Sequence, residues 1–184
     1  MTNWARRGGI AASILLIAFG IGAIVIGATG RDTVRSDLAR EQIVGTPDST
    51  IPGQQVDTGG EAKEFAAVMR KHTLEATGGR TYATMPRFLD SSGKPTDDEA
   101  AAAKELKTGQ AVENPARGIW ISSTAFQTAL NTAYFAESVA TFVIAMGAAL
   151  LLVGIGFLVL TLRLLKPERA RAKRTAVRAA AVTG

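Results

Sequence analysis

The chain has 184 residues, with 21 Lys and Arg, 16 Asp and Glu, one His and no Cys, and a formal net charge of +5. Without Cys there are no disulfides, thiolate metal sites or cysteine nucleophiles. A single His excludes multi-histidine metal sites and leaves most acid–base constellations without a partner.

Hydrophobic residues make up 47% of the chain and aromatics only 6%, and the apolar residues are concentrated. Residues 8–30 (23 residues) and 138–162 (25 residues) contain no charge. A spanning helix needs about 20 apolar residues, so both stretches are expected to be transmembrane helices. Neither contains Asp, Glu, Lys, Arg or His, which argues against an ion or proton path through this chain alone. Arg6 and Arg7 precede the first stretch. Arg163, Lys166, Arg169, Arg171, Lys173, Arg174 and Arg178 follow the second, with Glu168 as the one acid. The two ends therefore carry +8 and residues 31–137 carry −3. The positive-inside rule then places both termini (residues 1–7 and the basic tail 163–184) in the cytoplasm and residues 31–137 outside. The basic excess is accordingly no signal for nucleic acid. Cleavage of the first stretch as a signal peptide at Ala28-Thr29-Gly30 is the alternative. A signal h-region is about 7–15 residues, however, and this one is longer, so the reading is a retained anchor.

Taken in order, the first helix is expected to continue past the membrane to about Val44, because Val34 and Leu38 recur at helical spacing and no Gly or Pro intervenes. Gly45-Thr46-Pro47-Asp48 stops it, and residues 49–60 read as loop. Residues 61–77 are the clearest soluble helix, with Phe65, Met69, His72 and Ala76 on one stripe and Gly78-Gly79 as its left-handed cap. Tyr82, Met85, Phe88 and Leu89 pad a small core. Thr96-Asp97-Asp98-Glu99 matches a capping box, which predicts a polar, Ala-rich helix over 99–107. Having no apolar face, residues 90–113 read as an insertion. After Asn114-Pro115, Trp120 belongs to the outer core and Ser122/Ser123 are candidate caps. One helix of some 40 residues then runs over 123–165.

The candidate sites are structural. Small residues repeat as Ala18/Gly22 and Ala23/Gly27 in the first span and Ala136/Ala140 and Ala145/Ala149 in the second, a spacing that lets helix backbones approach. Phe65, Met69, Tyr82, Phe126 and Leu130 are the expected core of the outer segment. Trp4 beside Arg6-Arg7 is an interfacial anchor. Arg163, Lys166, Arg169, Arg171, Lys173 and Arg174 are expected to meet lipid headgroups, each contributing about 1 kcal/mol near an anionic surface. His72, with Glu75 nearby, has either a metal or pH role or a packing role between Met69 and Ala76, and lack of a second strong ligand favours packing. No catalytic, cofactor-binding or metal-binding residues are assigned.

At residues 72–85, HTLEATGGRTYATM, the chain resembles an uncharacterised family of small actinobacterial two-span membrane proteins. In that family a similar segment precedes an Asn/Asp-Pro-Ala-Arg turn, matched here by Asn114-Pro115-Ala116-Arg117, and a long C-terminal span. Residues 38–44, LAREQIV, resemble its stretch after the first span. Members are often labelled aromatic ring-opening dioxygenase. That chemistry uses iron held by two His and a carboxylate, and one His cannot supply it, so the label is rejected here. The resemblance covers about two thirds of the chain, is interrupted at 90–113, and implies topology without transferring a site.

The expectation is thus an all-α membrane protein: two long antiparallel transmembrane helices carrying a small helical extracytoplasmic cap. The expected role is a non-enzymatic accessory or scaffold subunit of a membrane or cell-envelope complex. It would contact lipid and other subunits or a second copy. A sensor or binder of a lipid or small ligand, using a groove around Phe65, Met69, Tyr82, Phe126 and Tyr134, is the alternative.

Overall fold

A computed structural model describes residues 2–164. It is mostly helical. Helix α1 covers Thr2–Arg40, α2 Gly59–Ala76 and α3 Pro115–Leu164. A 3-10 turn at Tyr82–Thr84 and two short strands, β1 (Phe88–Leu89) and β2 (Pro95–Thr96), lie between α2 and α3. The chain divides into two compact units, one formed by Met1–Arg31 with Val139–Gly184 and the other by Asp32–Ser138.

In the first unit α1 and α3 run antiparallel. Gly9 faces Thr161, Gly154 faces Leu16 and Ile17, Gly20 faces Gly147 and Leu151, and Gly27 faces Ala140 and Ile144. The buried positions recur every seven residues: Ser13, Gly20 and Gly27 on α1, and Ala140, Gly147, Gly154 and Thr161 on α3. Seven residues is slightly less than two turns of an α-helix, so a stripe with this period stays in register only if the helices wind around each other with left-handed sense. Large side chains point the other way. Phe19 is 69% exposed, Ile26 72%, Phe142 64% and Leu152 71%. By length and composition both helices could cross a membrane.

In the second unit, α2 packs onto the last turns of α1 and the first half of α3. Leu38, Ile51, Val56, Ala62, Phe65, Ala66 and Leu130 form one buried cluster, with Val34, Ile43, Met69, Phe126 and Ala133 against it. Thr58 caps α2 and Glu61 closes the box by accepting the Thr58 N–H at 2.9 Å. At the other end the Gly78 N–H bonds Glu75 O and the Gly79 N–H bonds Leu74 O. This termination requires left-handed φ, met by glycines at 62° and 76°.

Four sequence expectations are corrected. α1 ends at Arg40, not Val44, because Gln42 adopts φ 53° and turns Ile43 inward. α3 begins at Pro115, eight residues before the expected start. Asn114 is its cap, its Oδ1 accepting the Ala116 N–H at 3.1 Å, and proline occupies the first helical position, where an N–H would have no partner. Ser123 is therefore not a cap but a buried mid-helix residue. Finally, 99–107 is not a helix. β1 pairs antiparallel with β2, and Leu89 N–H bonds Val112 O, Val112 N–H bonds Ala103 O, and Ala103 N–H bonds Leu89 O. These three bonds close a ring among three extended segments, and Ala102 is buried beneath it. Residues 90–113 thus pair as extended segments, so deleting residues 97–108 would remove Ala103, which bonds both Leu89 and Val112. The second unit is not wholly helical.

Candidate functional site

The polar centre of the second unit is Glu137, the last charged residue before the long uncharged stretch of α3. Its side chain is 10% exposed. Oε1 accepts from Arg35 Nε of α1 at 2.7 Å, and Oε2 accepts the Gly59 N–H at the start of α2 at 2.5 Å. One carboxylate therefore ties three helices together, and it occupies the positive end of α2, where negative charge is favoured. Gly59 must be glycine. A Cβ there would lie 2.9 Å from Tyr134 Cα and 3.1 Å from Glu137 Cβ. A second tie joins Thr73 and Ser123 hydroxyls across α2 and α3. Sequence reasoning missed both ties and the capping box of α2. A lone acid bordering an uncharged stretch was the available signal for Glu137, and Thr58-Gly59-Gly60-Glu61 was the signal for the box.

The loop between α1 and α2 is held by Asp48. Its Oδ2 accepts from Lys71 Nζ at 2.8 Å and lies 2.9 Å from His72 Nε2, and its Oδ1 accepts from Thr46 Oγ1 at 2.8 Å. His72 thus bonds an exposed carboxylate instead of packing between Met69 and Ala76. Lys71, then His72, then Thr46 hold the Asp48 carboxyl well below its ordinary value of 3.8, and Asp48 in turn raises Lys71 above 10.5. A depressed carboxylate contributes stability that is present above about pH 4 and is lost as pH falls through the folded value. A raised amine contributes stability that is present below its ordinary value and lost as pH rises through the folded one. Asp48→Asn should therefore flatten the acid limb of a melting-temperature profile below about pH 4. The effect is small, because the pair is exposed. An acid limb that is unchanged in this variant would show that the loop is held by its backbone alone. At Glu61, burial pushes the carboxyl up, but hydrogen bonds from Asp57 and Thr58 outweigh it and leave it lowered.

The expected core residues Phe65, Met69, Phe126 and Leu130 come together, with Phe65 edge-on to Phe126 at 6.4 Å. Tyr82 does not join them. It is 40% exposed, and the Arg117 guanidinium lies 3.8 Å from its ring centroid while bonding the Tyr82 and Met85 carbonyls. Phe65, Met69 and Phe126 therefore pack in the core cluster without Tyr82. An open groove of about 480 Å³ instead lies on α1 and α3, lined by Val34, Leu38, Phe126, Leu130, Ala133 and Ala136 with Asp37 and Glu41 at its lip. Trp120 is half-buried under Arg70, 5.7 Å from its centroid.

Of the expected helix-packing residues, Gly27 and Ala140 meet. Ala18, Gly22 and Ala23 instead line a surface groove with Phe19, Ile26 and Val143. Ala145 and Ala149 are exposed, and Ala136 lines the groove of the second unit. The contact is carried by Gly20, Gly147 and Gly154, residues that small-xxx-small spacing passed over because their period is seven. Arg163 lies in the last turn of α3. Lys166, Arg169, Arg171, Lys173 and Arg174 lie outside the described residues. Among the described residues no group of three or more His, Asp or Glu could hold a metal ion.

These features define a mostly helical protein with two helices long and apolar enough to cross a membrane. Comparison with protein-family models, curated proteins and solved structures yields no match to the chain.

Proposed function

We propose that the chain is a two-span integral protein of the cell membrane, with both termini cytoplasmic and residues 31–137 extracytoplasmic. In this reading it acts without catalysis as an accessory or scaffold subunit of a membrane or envelope complex, and it belongs with the actinobacterial family it resembles. The observation that carries this reading is which side of each helix is buried. Only 11% of the most apolar stretch of α1 and of α3 is buried, and what is buried is mainly Gly, Ala, Ser and Thr. A core helix of a water-soluble protein buries its large side chains and exposes polar ones. Here Ile14, Leu15, Phe19, Ile26, Phe142 and Leu152 face outward, an arrangement suited to lipid. The second unit, tied at Glu137 and bearing an apolar groove, would then present the partner surface to other subunits or a second copy.

Topology is tested by single cysteines in a chain that has none. An impermeant thiol reagent on intact cells should label Ser92→Cys and spare Thr183→Cys; the reverse pattern refutes the orientation. Subunit function is tested by mild extraction of the tagged protein, which should retain a stoichiometric partner. The groove of about 480 Å³ favours a second reading, a binder of a lipid or small ligand. A small molecule retained by purified monomer, with no protein partner, would support that one.

A further inference from the structure

Arg6 has an unmet need. Its Nε is buried and has no hydrogen-bond partner among the described residues. The described part of the first unit contains Arg6, Arg7, Arg31 and Arg163 and no carboxylate at all. A buried donor of this kind costs stability unless something accepts from it, and a guanidinium calls for an anion.

The fold shows which groups stand near Arg6. It precedes Ser13 by seven residues, so it continues the stripe Ser13, Gly20, Gly27 that faces α3. The next pair up the helices is Gly9 against Thr161, where a Cβ added at Gly9 would lie 2.8 Å from Thr161 Oγ1. Arg163, just beyond Thr161, therefore stands at the same end of the helix pair as Arg6. Arg7 is exposed beside it, and Trp4 is 73% exposed nearby. Tryptophan favours the depth of lipid headgroups, and Arg6 lies two residues ahead of the uncharged stretch, at that same depth.

We propose that Arg6, with Arg163 across from it and Arg7 at its flank, binds the phosphate of an anionic lipid headgroup in the leaflet where the N-terminus emerges. The inference rests on the membrane reading above. Arg6 is the selective member. Its planar fork can give two parallel N–H donors to one phosphate, which a lysine cannot, whereas Arg7 adds mainly field.

The test uses the full-length protein in nanodiscs of phosphatidylcholine alone or of an equimolar mixture with phosphatidylglycerol, read by native mass spectrometry and melting temperature. Wild type should retain phosphatidylglycerol preferentially and melt higher in the mixture. Arg6→Gln should weaken that retention about tenfold, the loss of roughly one charge-assisted hydrogen bond. Arg6→Lys should restore it only in part, and Arg7→Gln should weaken it less than Arg6→Gln does. Equal retention by wild type and Arg6→Gln overturns the proposal, as does full rescue by Arg6→Lys. Inorganic phosphate that stabilises the protein in pure phosphatidylcholine as strongly as the anionic lipid does would make soluble phosphate the ligand. If Glu168→Gln lowers the melting temperature in pure phosphatidylcholine as Arg6→Gln does, and the double variant no further, the anion is the chain's own and the lipid site is refuted. Wild type that stays in carbonate-washed membranes but shows no Arg6-dependent lipid preference fails this inference alone. Wild type that washes out fails the membrane reading too.

Discussion

Leucine at Gly20 or Gly147 should separate α1 from α3 in the first unit. At Gly20 an added Cβ lies 2.7 Å from the Gly147 carbonyl oxygen and 2.7 Å from Leu151 N. At Gly147 it lies 2.7 Å from the Gly20 oxygen and 2.9 Å from Ile24 N. The obstruction is backbone on both sides, so no rotamer change relieves it and the helices must move apart. Overpacking ordinarily costs about 1–3 kcal/mol, and unyielding backbone places these two variants at or above the top of that range. Gly22→Leu and Gly156→Leu are the controls, because a Cβ at either meets nothing within 4 Å. All four changes make a helix more apolar, so a loss of apolar character cannot account for a difference among them. The readout is a disulfide in a Gly9→Cys/Thr161→Cys background. The built Gly9 Cβ lies 3.5 Å from Thr161 Cβ, within the span of about 3.5–4.5 Å that a disulfide bridges. Mild oxidation should cross-link the parent and both controls, and should cross-link the Gly20→Leu and Gly147→Leu variants poorly. Efficient cross-linking in all five would mean that the glycine contact does not hold the pair.

This contact also shows what the sequence conveyed and what it hid. The two uncharged stretches were legible, because length and the absence of charge are one-dimensional properties. The facing residues were not. In Gly- and Ala-rich helices many small pairs fall at a spacing of four, and only the second helix decides which period is used. The expected pairs captured Gly27 and Ala140 and missed Gly20, Gly147 and Gly154. The outer segment shows the same limit with a different cause. Thr58-x-x-Glu61 and Thr96-x-x-Glu99 are the same capping signature, yet only the first starts a helix. A short helix in water depends on an apolar face to pack. The residues after Glu61 supply Phe65, Val68 and Met69, whereas those after Glu99 supply alanines and charges, and their backbone pairs instead with β1. The Arg35–Glu137–Gly59 tie joins residues 78 and 102 positions apart along the chain, a separation that no local pattern reports.

Phe65→Ala should strip the second unit of its order, while His72→Gln on the same helix should not. Phe65 is 7% exposed and stands where all three helices and the α1–α2 loop converge: Leu38 from α1, Ile51 and Val56 from the loop, Leu130 and Phe126 from α3. Truncating a buried phenylalanine commonly costs 3–5 kcal/mol, and here the cavity would open against groups from every element, so no single segment can collapse to fill it. Among the described residues His72 bonds Asp48, whose carboxylate also accepts from Lys71 at 2.8 Å and should keep that partner when the imidazole is replaced. An exposed pair of this kind contributes little to stability. Limited proteolysis in detergent reads the difference directly, because α2 is protected only while docked. Cleavage within residues 45–80 should accelerate strongly in Phe65→Ala and change little in His72→Gln. Rapid cleavage of His72→Gln beside a resistant Phe65→Ala would move the organising centre of this unit from the apolar cluster to the loop clip at Asp48.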